Sequence, residues 1–73
     1  MQYELLAQKI EELEAETALE LVMRLMESKK NPADILAACR KGMEGVGKRF
    51  ESGEYFVADL MLSANLFQEI MQI

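Results

Sequence analysis

GMEGVGKRFESGEYFVADLML, residues 42–62, joins two helical patterns across a turn. On its near side Cys39, Met43, Val46 and Phe50 recur at spacings of four, three and four, with Ile35 or Leu36 one turn earlier. That is a single stripe along a helix. On its far side Val57, Leu60, Ala64, Phe67 and Met71 recur at three, four, three and four, a second stripe. Neither pattern survives Ser52-Gly53, and Gly53 can supply the positive φ that ends a helix. The stretch therefore predicts a helical hairpin. Phe50 closes its first arm, and Tyr55, Phe56 and Val57 open its second, with Leu60 one turn on.

The arms lengthen in both directions. The third helix is predicted over Pro32 to Glu51: Asn31 suits the N-cap, Pro32 the first helical position, and Asp34 adds negative charge to the first turn. Before it, Ala18 to Lys29 reads as a second helix. Thr17 with Glu20 has the spacing of a capping box, and Lys29 and Lys30 complement the dipole at the other end. Gln2 to Glu14 reads as the first, on the stripe Tyr3, Leu6, Ile10 and Leu13. The fourth runs from Tyr55 to the end of the sequence. Phe56, Met61, Leu62, Leu66, Ile70 and Ile73 fill most of what its stripe leaves, so it is apolar nearly all round. Such a helix is expected to be central or to contact a partner. Its pattern reaches Ile73 without a polar tail, as in a chain cut from a longer protein or one whose end docks. No segment alternates with period two, so no strands are predicted. Short connections make sequential helices antiparallel neighbours. The expected fold is all-α: a compact antiparallel four-helix bundle, one domain over 1–73.

Composition removes several classes of function. Thirteen Asp+Glu against eight Lys+Arg leave a net charge of −5, the wrong sign for a nucleic-acid partner. There is no histidine, which excludes imidazole metal sites and Ser-His or Cys-His pairs. The single cysteine, Cys39, excludes an internal disulfide and falls on an apolar stripe, as a small core residue would. No apolar run approaches the ~20 residues of a membrane span. Met-Gln-Tyr-Glu does not begin a signal peptide, so the expected location is the cytoplasm. Gly45-Val46-Gly47 follows no strand and lacks a third glycine at 50, so it is no dinucleotide loop. Glu51 and Glu54 flank the turn with nothing to desolvate them and read as solvated side chains rather than a catalytic pair. Gly42, Gly45 and Gly47 each cost a helix roughly 1 kcal/mol relative to alanine. Their clustering predicts a surface that another helix, or a ligand, approaches closely.

What remains is the apolar group at the tip of the hairpin. Phe50, Phe56, Val57 and Leu60 fall at one end of the bundle, where solvated polar residues are usual. They are either the plug of the core or a docking face. The residues here resemble the helical cap module of cobalamin-dependent methyltransferases. That module precedes the cobalamin-binding domain in methionine synthase and in the corrinoid proteins of methanol and methylamine methyltransferases. The family pattern Gly-Met-x-x-Val-Gly-x-x-Phe-x-x-Gly-x-Tyr/Met-Phe-Leu-Pro-x-Leu is matched by Gly42-Met43, Val46-Gly47, Phe50, Gly53, Tyr55-Phe56 and Leu60. Val57 and Ala58 stand where the pattern has leucine and proline.

The resemblance implies a methionine synthase cap-like bundle and a role in methyl transfer and one-carbon metabolism. The cap is non-catalytic alone and covers the upper face of a corrinoid, shielding the methyl–cobalt bond. Carried over by position, the covering residues are Phe50, Phe56, Val57 and Leu60. The implied partners are the cobalamin-binding domain of the same parent protein and a substrate-specific methyltransferase subunit. The family's Asp-x-His-x-x-Gly motif, whose histidine ligates cobalt, is impossible in a chain without histidine, so this chain by itself is expected to hold cobalamin weakly or not at all. Methylamine, methanol and homocysteine systems all stay open. A different class of function also fits the residues: a helical interaction module that self-associates through its fourth helix as a homodimer.

Overall fold

The computed structural model describes residues 2–72. Four helices follow one another: α1 Gln2–Glu11, α2 Ala15–Glu27, α3 Pro32–Glu51 and α4 Val57–Met71. No strand occurs among the described residues, and the predicted all-α bundle is what forms. Ile73, placed by its spacing on the fourth helix, lies outside the described residues.

The start of α3 is set locally. Asn31 Oδ1 accepts from the Ala33 N–H at 2.9 Å, and Pro32 opens the first turn without leaving a donor orphaned. The ends of α1, α2 and α3 share one device. Leu13 (φ 61°), Lys29 (φ 58°) and Gly53 (φ 85°) each adopt the left-handed conformation just past the last helical turn. The next amide then reaches back to a terminal carbonyl: Glu14 N–H to Lys9 at 2.9 Å, Lys30 to Leu25 at 3.1 Å and Glu54 to Arg49 at 2.9 Å.

Four predicted boundaries are corrected: α2 ends at Glu27 rather than Lys29, which turns left-handed, α4 begins at Val57 rather than Tyr55, with Phe56 as its cap, and the other two flank the first connection. The first helix stops at Glu11 rather than Glu14, because Leu13 continues the apolar spacing while turning left-handed. The second begins at Ala15 rather than Ala18. Thr17 is an exposed residue inside its first turn and caps nothing; Glu14 occupies the N-cap, and its carboxylate pairs with Lys9 Nζ at 3.0 Å instead.

Packing centres on α3, which touches all three other helices. Its closest neighbour is α1, running parallel to it. Tyr3 shares a concavity with Asp34, Ala37 and Ala38, while at the other end Glu11 reaches Arg49. Close approach is possible because α3 presents glycine there. A Cβ on Gly42 would lie 2.7 Å from Ile10 Cβ and 2.8 Å from the Ala7 carbonyl oxygen. One on Gly45 would overlap the Glu11 side chain, whereas one on Gly47 would meet nothing within 4 Å. Two of the three glycines therefore serve helix packing, and the third faces open space.

The core is built from Leu6 and Ile10 of α1, Ala18, Leu21, Val22 and Leu25 of α2, Ile35, Ala38 and Cys39 of α3, and Leu66 and Ile70 of α4. Cys39 is fully buried, and burial pushes its thiol above the ordinary value, as expected of a core residue. Of the two expectations for α4, central or in contact with a partner, the first is not met. Only Ser63, Leu66 and Ile70 of α4 are buried, and the helix packs on one flank, antiparallel to α3, with Phe67 beside Met43 and Ile70 beside Cys39. The glycine-lined face of α3 took α1 as its close partner, which left α4 on the outside.

Candidate functional site

The hairpin tip is built from the α3–α4 turn outward. Arg49, in the last turn of α3, is its hub. The Arg49 carbonyl accepts from the backbone amides of Glu54 (2.9 Å) and Tyr55 (3.1 Å) and from Ser52 Oγ (2.9 Å). Its guanidinium works in the other direction. Nε donates to Glu11 Oε2 at 3.0 Å, Nη1 donates to Tyr55 Oη at 2.9 Å, and the Glu54 carboxylate lies 3.4 Å from Nη1. The guanidinium carbon also sits 5.4 Å from the centre of the Tyr55 ring, within cation–π range. Tyr55 completes the circuit by donating its hydroxyl proton to the Glu11 carbonyl at 2.7 Å, satisfying one of the carbonyls that the end of α1 leaves open. The Tyr55 hydroxyl first, then the Glu54 and Glu11 carboxylates, hold the guanidinium proton more firmly than usual. The turn is thus tied by side chains to the far end of α1.

The apolar residues stand on this tied turn. Phe56 is the N-cap of α4, with its amide donating to Asp59 Oδ2 at 2.8 Å. Its ring has no place in the core and is 72% exposed. Val57, the first residue of α4, is 63% exposed. Leu60, half-buried, is one turn further on and shares a face with Val57. Phe50, at the end of α3, is 39% exposed. The structure places all four at the turn end of the bundle and none in the core cluster. Phe56 and Val57 are too exposed to plug the core, while Leu60 is half-buried.

Two features escaped the sequence reading. Met61, four residues after Val57 and 64% exposed, continues the same face; its spacing was a sufficient signal. The tie of Arg49, Tyr55 and Glu11 had none, since Glu11 lies 38 positions from Arg49 and looks like any charge on a solvated face. Glu51 and Glu54 are exposed, as expected of a solvated turn.

Among the described residues no three His, Cys, Asp or Glu side chains are grouped to hold a metal ion. No helix of the described residues is long and apolar enough to cross a membrane.

Taken together, fold and site define a small helical module whose α3–α4 turn exposes Phe56 and Val57 beside the charged Glu51 and Glu54. A sequence model for the family described as a B12 binding domain matches residues 2–73, and the chain belongs to that family, the helical cap domain of B12-binding proteins. No solved structure matches the chain.

Proposed function

We propose that this chain is the cap of a corrinoid methyl-carrier protein and that Phe50, Phe56, Val57 and Leu60 cover the upper face of the corrinoid held by a separate cobalamin-binding domain. The observation that carries this reading is the exposure of Phe56 and Val57 on a turn fixed by hydrogen bonds, in a chain of the B12-binding cap family. When bound by its own domain, a corrinoid supplies a cobalt centre that accepts and releases a methyl group. The chain's own contribution is to exclude water from above that centre, because an apolar contact leaves no site for a hydrogen-bonded solvent molecule. A modest apolar contact also separates without breaking a polar lock, as access for donor and acceptor requires. The setting is methyltransferase chemistry of one-carbon metabolism in the cytoplasm, with a methyltransferase subunit as the further partner.

The test supplies the 73-residue chain to a cobalamin-binding domain loaded with methylcobalamin and measures the lifetime of the reduced cobalt after demethylation. The wild-type chain should lengthen that lifetime, and Phe56→Ala should abolish most of the gain. Because Phe56 is largely exposed in the free chain, this variant should change the stability of the bundle by no more than about 0.5 kcal/mol. A lifetime indifferent to Phe56→Ala and to Leu60→Ala refutes the covering role.

A second reading is favoured by the outer face of α4, where Met61 (64%) and Met71 (59%) are exposed along with Val57. In that reading α4 pairs with its counterpart in a homodimer. Sedimentation across a range of concentrations separates the two: a chain monomeric throughout removes the dimer.

A further inference from the structure

The covering residues sit on a short turn, and exposed turns of this kind are ordinarily the least ordered part of a helical bundle. Here the turn is anchored by a charged side chain whose hydrogen bonds go to Glu11 and Tyr55 and to none of the proposed covering residues. Arg49 binds Glu11 of α1 through Nε and the Tyr55 hydroxyl through Nη1, and Tyr55 in turn binds the Glu11 carbonyl. The end of α1, 38 and 44 positions away, is thereby closed into one ring of hydrogen bonds with the end of α3 and the residue preceding the α4 cap. Two of these bonds, both donated by the Arg49 guanidinium, are charge-assisted, the class that contributes most. Phe56 follows Tyr55 directly, so the direction in which its ring leaves the bundle depends on where Tyr55 is held. Gly45 is part of the same arrangement. Only a residue without a Cβ leaves room for the Glu11 side chain to lie across α3 toward Arg49.

We infer that Arg49, acting through Tyr55 and Glu11, is the positioning residue of the cap: it fixes the orientation of Phe56 and Val57, and without it the bundle stays folded while its covering face loses definition. This rests on the covering role proposed above, but its first test does not. Neither Arg49 nor Glu11 belongs to the core cluster, so losing the ring should leave the packing of Leu6, Leu25 and Cys39 intact.

The experiment compares Arg49→Met, which keeps the aliphatic stem but no donors, with Tyr55→Phe, which keeps the ring but no hydroxyl. In the free 73-residue chain, NMR hydrogen exchange is followed at the Glu54 and Tyr55 amides and at core amides such as Leu25 and Cys39, together with the Val57 methyl shifts. Arg49→Met should speed exchange at the turn by at least about fivefold and move the Val57 methyls, with core amides unchanged. Tyr55→Phe should act in the same direction, more weakly. Turn amides no faster than wild type in both variants overturn the inference. So does an equal rise at turn and core, which would make Arg49 a stabilising residue and nothing more.

The second test adds the methylcobalamin-loaded domain. Where Phe56→Ala shortens the lifetime of reduced cobalt, Arg49→Met should shorten it too, although Arg49 itself offers no apolar cover. A freed turn with an unaltered lifetime, beside a Phe56→Ala that does shorten it, overturns the positioning role. Silence of Phe56→Ala itself refutes the covering reading, and the exchange result then decides the ring of hydrogen bonds by itself.

Discussion

Replacing Gly42 and Gly47 by alanine, one at a time, should move stability in opposite directions, although both lie in the interior of α3. The two residues share the same intrinsic preference: alanine is better than glycine in a helix by about 1 kcal/mol. They differ in what the new methyl meets. At Gly47 there is nothing within 4 Å, so the gain of about 1 kcal/mol is realised in full. At Gly42 the methyl would stand 2.7 Å from both Ile10 Cβ and Ile10 Cγ2 and 2.8 Å from the Ala7 carbonyl oxygen. Comfortable separation between carbon atoms is about 3.5–4.0 Å, so α1 must retreat by roughly 1 Å. Neither obstacle can swing aside, since one is a backbone carbonyl and the other is the root of a fully buried side chain. Overpacking that moves backbone costs about 1–3 kcal/mol, and the upper half of that range applies here. After the propensity gain, Gly42→Ala should lose about 1–2 kcal/mol. For a domain of this size a difference of about 2–3 kcal/mol between the two variants is a large part of total stability. Urea unfolding followed by circular dichroism at 222 nm reads it directly as a shift of midpoint at constant slope. A Gly42→Ala variant as stable as wild type would refute the parallel α1–α3 contact as described, and a destabilised Gly47→Ala would refute the open face.

Two further outcomes test other parts of the structure. Lys29→Gly should stabilise the chain by about 0.5–1 kcal/mol, because the exposed Lys29 holds a left-handed conformation that costs a side-chain-bearing residue about 1 kcal/mol or more; a melting temperature that falls counts against the left-handed end of α2. Stability should decline in mild alkali because of Cys39. Its buried thiol titrates above the ordinary value of 9.0, so the unfolded chain loses that proton first, and the contribution, intact at neutral pH, is lost as pH rises past the unfolded value by at most about 1.4 kcal/mol per pH unit. A Cys39→Ala variant with the same alkaline slope as wild type, measured below the range where tyrosine and lysine titrate, refutes this.

Where the sequence was legible, the information was local. Asn31-Pro32 and Gly53 set both ends of α3 through groups within a few residues of each other, and the helix runs from Pro32 to Glu51 as its pattern predicts. The boundary between α1 and α2 failed for the opposite reason. Leu13 takes a conformation usually left to glycine, as Lys29 does at the other end of α2, and Thr17 with Glu20 imitates a cap that α2 does not use. Nothing in the neighbouring residues reveals either choice, because tertiary closure makes it. The glycines lie between these cases. Their clustering announced a close approach, but only the packed structure shows that Gly42 and Gly45 receive α1 while Gly47 receives nothing. That Phe50, Phe56, Val57 and Leu60 flank one turn was legible, whereas the hydrogen bonds that hold that turn span 38 and 44 positions and were not.

The placement of α4 bears on function. A helix apolar nearly all round was expected to be central or to contact a partner, and the bundle buries only Ser63, Leu66 and Ile70 of it. A serine occupies the interior, its hydroxyl satisfied by the Leu60 carbonyl at 2.7 Å, while Val57, Met61, Leu62 and Met71 remain outside. Had folding alone shaped this helix, the apolar residues would face inward and the polar ones outward, since exposing a large apolar side chain forgoes about 1.5–3 kcal/mol of burial. Isolated exposed apolar residues are common and need no account. A run of them that continues from Phe56 at the cap along one helix, next to a turn held by Arg49 and Tyr55, is different in kind. The bundle leaves this apolar surface uncovered, and under the proposed function it is the surface offered to the cobalamin-binding domain.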